Sequence, residues 1–499
     1  MASAQVLPRE LRLSAPPTMP QARSYLFKQQ SVNATYEPGA SGTIQINIPR
    51  LQRSYLTKDS YLKFRIGLSW TNSGASGTPP TAPCFDVPGA FGLFDRIEIY
   101  DYLGSTLLES TSGHGQLMTL LMDTSTSPDE LGFHYGTTSG TYGANTIVDL
   151  ESSAAGTTRQ RLMGAGNGGV FTTTDNDGTT TYYYEYTIPL FSFLGLLSQK
   201  FAPLHNGYTI QLTLNTAANA LGFSGTDGTI GGTAPASAAP TTYQLSNVYM
   251  CCQVLELGPV AESMLISSTQ GQPFVVPSKA YRNYIGNIPA ASSAYRLDMN
   301  LNVASLTNIL WIMRSNAYLN DVKFRCLSYR IRNYLSTWYF QYGSTILPQT
   351  SGIQAFAPPG ASLDEGRGGF NEAYVELMKA RHSLNAPNFN SNITKTNFWF
   401  DTPAAQATKE STTAATVMAL TNDSIRNRGT FAAGLDLELV SGRSNDLVCG
   451  MNTNGMNTSI NLTFDSTNSG SVVSSRVDLW AEYDSFINVS PGIATTVSF

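Results

Sequence analysis

The sequence predicts an all-β chain built as two tandem domains of similar size, and three observations carry that reading. Long helical patterns are nearly absent from the 499 residues, while many short β-branched or aromatic runs are broken by Gly, Asn and Ser, the pattern of β-sandwiches or barrels. One stretch also occurs twice. Ile97-Glu-Ile-Tyr-Asp-Tyr-Leu-Gly-Ser-Thr-Leu-Leu108 and Trp338-Tyr-Phe-Gln-Tyr-Gly-Ser-Thr-Ile-Leu347 are each an aromatic alternating strand, a Gly-Ser-Thr turn and an apolar continuation. The rest of the chain repeats at similar offsets. Thr209–Asn215 matches Ser459–Asp465, and a closing strand follows each, Val248–Leu257 and Val477–Val489. The offsets of 239, 250 and 229 residues all lie near half the chain, which is a two-fold internal repeat with loops of unequal length.

Composition narrows the class. Charged residues make up only 13% against a usual quarter or so, and aromatics 11%. So little charge fits either a surface buried against partners or a neutral one rich in Ser, Thr and Asn. The net charge of −5 argues against a nucleic-acid binder as a whole. Five cysteines (Cys84, Cys251, Cys252, Cys326, Cys449) are odd in number and lack ligand spacing, so they read as unpaired apolar side chains of a protein folded in a reducing compartment. Cys251 and Cys252, adjacent on a strand, face opposite ways. No apolar N-terminal run resembles a signal peptide, and no segment reaches the length of a membrane span.

Residues 1–40 read as a Pro-punctuated basic arm carrying Arg9, Arg12, Arg23 and Lys28. Residues 1–65 hold nine Lys/Arg against three Asp/Glu, leaving 21 against 32 in the remainder. A basic arm on an acidic body either reaches toward a polyanion or docks under a neighbouring subunit. The first domain spans 41–258. Its strands begin at Thr43–Ile48, and Tyr61–Leu68 places Leu62, Phe64, Ile66 and Leu68 on one face with Lys63 and Arg65 on the other. After the first Gly-Ser-Thr turn a short helix is expected over Gln116–Asp123. Residues 124–181 and 217–242 are long Thr/Ser/Gly-rich loops of the kind that project or carry function. Residues 259–290, with Pro259, Pro273, Pro277 and Pro289, read as a linker that packs on the body. The second domain spans 291–499, with strands at Tyr295–Leu301, Leu306–Met313 and Val322–Tyr329 and at the repeat copies, a helix over Asn371–His382, and insertions at 349–369 and 385–430.

Enzyme chemistry finds little support. His114, His134, His205 and His382 are scattered without metal-ligand spacing, and there is no Gly-x-Ser-x-Gly elbow or phosphate-binding loop. Gly164–Gly169 has no helix after it. The acid pairs Asp129-Glu130 and Asp364-Glu365 sit in loops where solvation explains them. Asp175-Asn-Asp-Gly178 resembles the start of a calcium loop, but Tyr186 stands where the bidentate acid belongs. Tyr182–Tyr186 reads as alternation in a half-buried strand before a sugar platform. No catalytic, cofactor or metal site is assigned.

Three segments carry a family resemblance: Thr43–Ile48 with Tyr61–Leu68, Phe94–Ser105, and Ile188–Gly195 through Phe201–Asn206. With the tandem architecture they make the chain resemble the double jelly-roll major capsid proteins of tailless icosahedral double-stranded DNA viruses, of the virophage and Polinton-like type. The resemblance implies two eight-stranded jelly rolls side by side, and homotrimers of pseudo-hexameric outline that tile a virion shell with neighbouring capsomers, penton and minor capsid proteins. It implies no enzyme activity, and at most weak non-specific contact of the N-terminal arm with packaged DNA. The competing readings are a two-jelly-roll glycan hydrolase or amidase, which needs clustered acids, and a minor vertex or receptor-binding virion protein, against which the internal repeat argues.

Overall fold

A computed structural model describes residues 22–39, 42–71, 83–85, 88–125, 148–152, 158–162, 171–174, 179–189, 201–223, 242–268, 272–320, 326–349, 352–355, 370–381, 391, 393, 398, 429–438, 450–465, 469–490 and 495–498. Sixteen principal strands fall into two sets of eight. Roll 1 holds β1 (Ala22–Gln30), β2 (Thr43–Ile48), β3 (Tyr61–Thr71), β4 (Phe94–Asp101), β5 (Leu107–Ser112), β6 (Thr179–Pro189), β7 (Tyr208–Leu214) and β8 (Thr242–Leu257). Helix α1 (His114–Ser125) lies between β5 and β6. Helix α2 (Pro259–Ser268) joins the rolls. Roll 2 holds β9 (Phe274–Ile288), β10 (Ala294–Met299), β11 (Leu306–Ser315), β12 (Leu335–Tyr342), β13 (Thr345–Leu347), β14 (Ala433–Asp436), β15 (Thr458–Phe464) and β16 (Ser475–Val489), with α3 (Phe370–Ala380) between β13 and β14.

Each roll is two antiparallel sheets. In roll 1 the orders are β1-β8-β3-β6 and β2-β7-β4-β5; in roll 2 they are β9-β16-β11-β14 and β10-β15-β12-β13. Strand n of roll 1 therefore corresponds to strand n+8 of roll 2. Long crossings between the two sheets make each set a jelly roll, whose double-sheet packing buries one face of every strand. Four short strands extend the first sheet, and Thr496–Ser498 and Ile353–Gln354 extend those of roll 2.

Alternation in the sequence becomes alternation in burial. Ile44, Ile46 and Ile48 of β2 and Leu62, Phe64 and Ile66 of β3 point into the roll 1 core, where Phe64 meets Phe94 edge-on at 5.9 Å. In roll 2, Trp311 of β11 meets Trp338 of β12 edge-on at 5.4 Å, joining the two sheets. Such pairs add about 0.5–1.5 kcal/mol beyond burial. Both repeated turns put glycine in the left-handed region, Gly104 at φ 70° and Gly343 at φ 56°, where a Cβ is disfavoured. The first is closed by Asp101, whose Oδ1 accepts from the Ser105 and Thr106 amides at 2.8 and 3.1 Å.

Two expected boundaries meet strands. The stretch expected as an arm to residue 40 contains β1, which pairs with β8 along its whole length, Ala22 to Leu257 through Gln30 to Tyr249. Tyr25 and Phe27 pack on the core, so alternation was present but masked by Arg23 and Lys28 on an exposed edge. The stretch expected as a linker over 259–290 contains α2 and all fifteen residues of β9. Pro277 is tolerated there because β9 is an edge strand, bonded only to β16. The strand expected over Val322–Tyr329 is partly outside the described residues, and Cys326–Ser328 forms a turn.

Candidate assembly surfaces

Strand direction assigns every connection to one of two ends. In roll 1 the start of β1, the β2–β3, β4–β5 and β6–β7 connections and the exit of β8 share one end. In roll 2 the start of β9, the turn at Gly343, the β14–β15 connection and the exit of β16 do the same. Helix α2 joins these two ends, so this is the joining end of the chain. The connections that hold the long insertions, β3–β4, β5–β6, β7–β8 and β13–β14, all leave from the opposite end.

The rolls stand side by side with like ends together. At the joining end His205 stacks on Phe274 at 5.6 Å, and its Nε2 lies 3.3 Å from Glu262 Oε1 on α2. Asn206 Nδ2 donates to Ser490 O and Thr495 Oγ1, both at 3.1 Å. Near the insertion end Asn219 Nδ2 donates to Asn320 Oδ1 at 2.8 Å, while the Asn320 amide donates back at 3.1 Å. Leu117 and Leu120 of α1 join the roll 2 core, and Val276, Ile487 and Val489 of roll 2 join that of roll 1. These reciprocal insertions make the two rolls one packed body.

Between them runs a seam of buried charge. Arg330 pairs with Asp123, and both side chains are fully buried. Arg314 Nη2 lies 2.7 Å from Asp478 Oδ2, and Arg476 Nη2 lies 2.8 Å from its other oxygen. Asp95 of roll 1 faces this group; burial holds its carboxyl above the usual range despite Arg476 and Arg314. Burial also opposes the charge of Glu482, but Lys279 and Arg381 outweigh it and keep that carboxyl below the usual range. Arg381 Nε donates to Thr124 Oγ1 across the seam at 3.3 Å, and Trp480 Nε1 donates to Ser112 O at 3.0 Å. Removing one partner of such a pair leaves an uncompensated buried charge and is strongly destabilising.

The joining end is apolar on its surface. Among the described residues, the large apolar side chains that stand exposed are Tyr102, Leu103, Leu107, Phe201, Val260, Met264, Ile266, Val275, Ile346 and Met456 at this end, and Leu26, Val32 and Ile285 elsewhere. Exposed apolar groups gathered at one place mark an interaction surface.

The residues singled out from sequence scatter over this body. Arg9 and Arg12 lie outside the described residues. Arg23 sits on β1, its Nη2 2.7 Å from Glu256 Oε2, and Lys28 stands 5.1 Å from the Tyr249 ring; both belong to the sheet. His134, His382, the two acid pairs, Gly164–Gly169 and Asp175–Gly178 fall outside the described residues, as do the side chains of Tyr182–Glu185. His114 is buried, which pushes its imidazole down to about 3. Cys251 and Cys252 are buried free thiols on opposite faces of β8, Cys252 within the core. Cys326 is buried and donates to the Tyr318 carbonyl at 2.9 Å. Among the described residues no cluster of His, Cys, Asp and Glu is arranged to hold a metal, and no helix is long and apolar enough to cross a membrane. The seam pairs were missed by the sequence reading, because Asp123 and Arg330 are 207 residues apart and neither lies in a motif.

No protein-family model and no curated protein matches the chain. Solved structures do, over nearly its whole length. The Sputnik virophage structure matches with a TM-score of 0.57 at 12% identity, covering 100% of this chain and 93% of that one. The mavirus major capsid protein matches with a TM-score of 0.55 at 11% identity, covering 100% and 96%. The Faustovirus major capsid protein matches with a TM-score of 0.53 at 11% identity, covering 96% and 92%. With the strand order above, these likenesses show that the chain has the double jelly-roll fold of viral major capsid proteins.

Proposed function

We propose that this chain is a major capsid protein, that three copies form a capsomer of pseudo-hexameric outline, and that capsomers tile an icosahedral shell around a double-stranded DNA genome. The observation that carries this reading is the division of the molecule into two ends. Both rolls send their chain entries, exits and tight turns to one apolar end and their long insertions to the other. A shell subunit needs that polarity, with one end for packing and one for the outside. The inter-roll seam adds rigidity, so that weak contacts summed over many neighbours yield one curvature. The insertions would face outward. The described chain begins its first strand at the joining end with Ala22; the basic Arg9 and Arg12 that precede it in sequence would serve beneath the shell, where penton and minor capsid proteins or packaged DNA are within reach. The protein acts as a structural component of the virion, with no catalytic role.

The test is the mass of the purified chain by light scattering, with negative-stain images of the same fraction. Particles of about three times 53.9 kDa with a hexagonal outline are expected. A monodisperse 53.9 kDa monomer refutes the self-assembling capsomer.

A further inference from the structure

An Asn-Gly pair is a chemically reactive step in a chain. Glycine has no side chain to block its amide nitrogen, and its free backbone lets that nitrogen reach the Asn side-chain carbonyl. The sequence holds three such pairs: Asn167-Gly168, Asn206-Gly207 and Asn454-Gly455. The first lies outside the described residues, and the fold treats the other two in opposite ways. Asn206 is 7% exposed, and its Nδ2 donates to Ser490 O and Thr495 Oγ1, both at 3.1 Å. The Gly207 amide donates to Leu204 O at 3.1 Å, and a Cβ at Gly207 would stand 2.6 Å from Ile48 O, so the backbone there is enclosed. Asn454 and Gly455 are exposed at the tip of a turn in the β14–β15 connection, closed by the Met456 amide on Thr453 O at 3.2 Å. The Asn454 amide donates to Asn452 Oδ1 at 2.9 Å, but among the described residues nothing bonds the Asn454 side chain or the Gly455 amide. Gly455 has φ 74°, and a Cβ there would meet nothing within 4 Å.

We propose that Asn454 is a self-modifying site, at which the folded chain deamidates, while Asn206 is held inert by the fold. The Gly455 amide nitrogen gives its proton to solvent base and attacks Asn454 Cγ. The new C–N bond closes a cyclic imide, and the side-chain amide leaves as ammonia. Water then adds to one imide carbonyl and opens the ring, leaving Asp or isoaspartate at 454. Water is the only co-reactant. The exposed turn admits it, and neither the nucleophile nor the side-chain amide has a hydrogen bond to break first. Each event replaces a neutral amide with a carboxylate and takes the formal net charge from −5 to −6. The charge arises at the joining end, beside Met456, which is 47% exposed. The same turn touches the second Gly-Ser-Thr turn, since Asn457 O accepts from the Gly343 amide at 2.8 Å. Isoaspartate lengthens the main chain by one carbon, so it disturbs that contact as well. The inference stands on the fold alone and holds whether or not copies assemble.

The experiment keeps the full chain folded in mildly alkaline buffer made with heavy-oxygen water, samples it over days, and weighs the peptides after digestion. An isoaspartate-specific methyltransferase with a labelled methyl donor reads the product independently. The peptide holding Asn454 is expected to exchange its amide for an acid carrying solvent oxygen, and to take the methyl label. The peptide holding Asn206 should convert at least about tenfold more slowly, because its buried hydrogen bonds must open first. In urea both peptides should convert at similar rates. Asn454→Gln, whose longer side chain closes such a ring far less readily, should lose the signal from its own peptide in both conditions. A folded chain whose Asn454 peptide converts no faster than its Asn206 peptide, while both convert in urea, overturns the proposal. So does conversion at 454 without uptake of solvent oxygen.

Discussion

Strands β3 and β11 occupy corresponding places in the two rolls, yet their surroundings differ. In β3, buried Leu62, Phe64 and Ile66 alternate with half-buried Tyr61, Lys63 and Arg65. In β11 all ten residues are buried. Trp311 and Ile309 face the second sheet of roll 2, while Leu310 and Leu377 of α3 both close around Gly434, and Arg314 meets Asp478 in the seam. The sequences state the difference. Tyr-Leu-Lys-Phe-Arg-Ile alternates, whereas Leu-Thr-Asn-Ile-Leu-Trp-Ile-Met runs nearly continuous, as strands covered on both faces do. One fold thus holds a sheet whose outer face is half-exposed among the described residues and a sheet enclosed between two layers.

Mutations can break or sharpen that contrast. The largest effect is expected in the covered region, where Arg330→Ala strands Asp123 in a fully buried site and costs about 3–5 kcal/mol in denaturant unfolding. The double variant Arg330→Met/Asp123→Leu removes both charges and should recover most of that loss; equal losses would mean that Arg330 acts by packing alone. Next, Leu310→Ala should cost about 2–5 kcal/mol by opening a cavity beneath α3. Acid comes third. The folded-state value of His114 is depressed to about 3, so the unfolded chain binds the extra proton first as pH falls below about 6.5. Stability should fall by up to about 1.4 kcal/mol per pH unit between pH 6.5 and 3, and His114→Gln should remove that component of the slope. Smallest is Lys63→Ala on the open face, within about 0.5 kcal/mol in the isolated chain. A cost of 2 kcal/mol there would show that the β3 face is not open.

Much of this fold was legible in the sequence, and what was missed has a common cause. The paired Gly-Ser-Thr hairpins, both helices that follow them and the matching β7 and β15 were all visible, because alternation and turn chemistry are local signals. The first strand of each roll was not. Strands β1 and β9 are edges, so they carry exposed Arg23 and Lys28 or a proline at 277 without penalty, and such a strand reads like a tail or a linker. The seam was invisible for another reason. Arg330, Arg314 and Asp478 are ordinary charges until the fold brings together segments more than a hundred residues apart. The apolar joining end likewise collects single residues from turns and from α2, none of which forms a run.

The two-ended arrangement of connections bears on how such a protein can be altered. The β7–β8 connection leaves its strand after closing contacts of the roll are already made: the Leu214 amide bonds to Gly42 O and the Asn215 amide to Leu93 O. Sequence added between residues 224 and 241 therefore need not disturb any strand register. Peptides spliced there would ride on a finished scaffold, leaving both cores and the charged seam between the rolls untouched. The same division would make the chain a carrier for added sequence, with the fold's closing contacts kept apart from whatever is grafted.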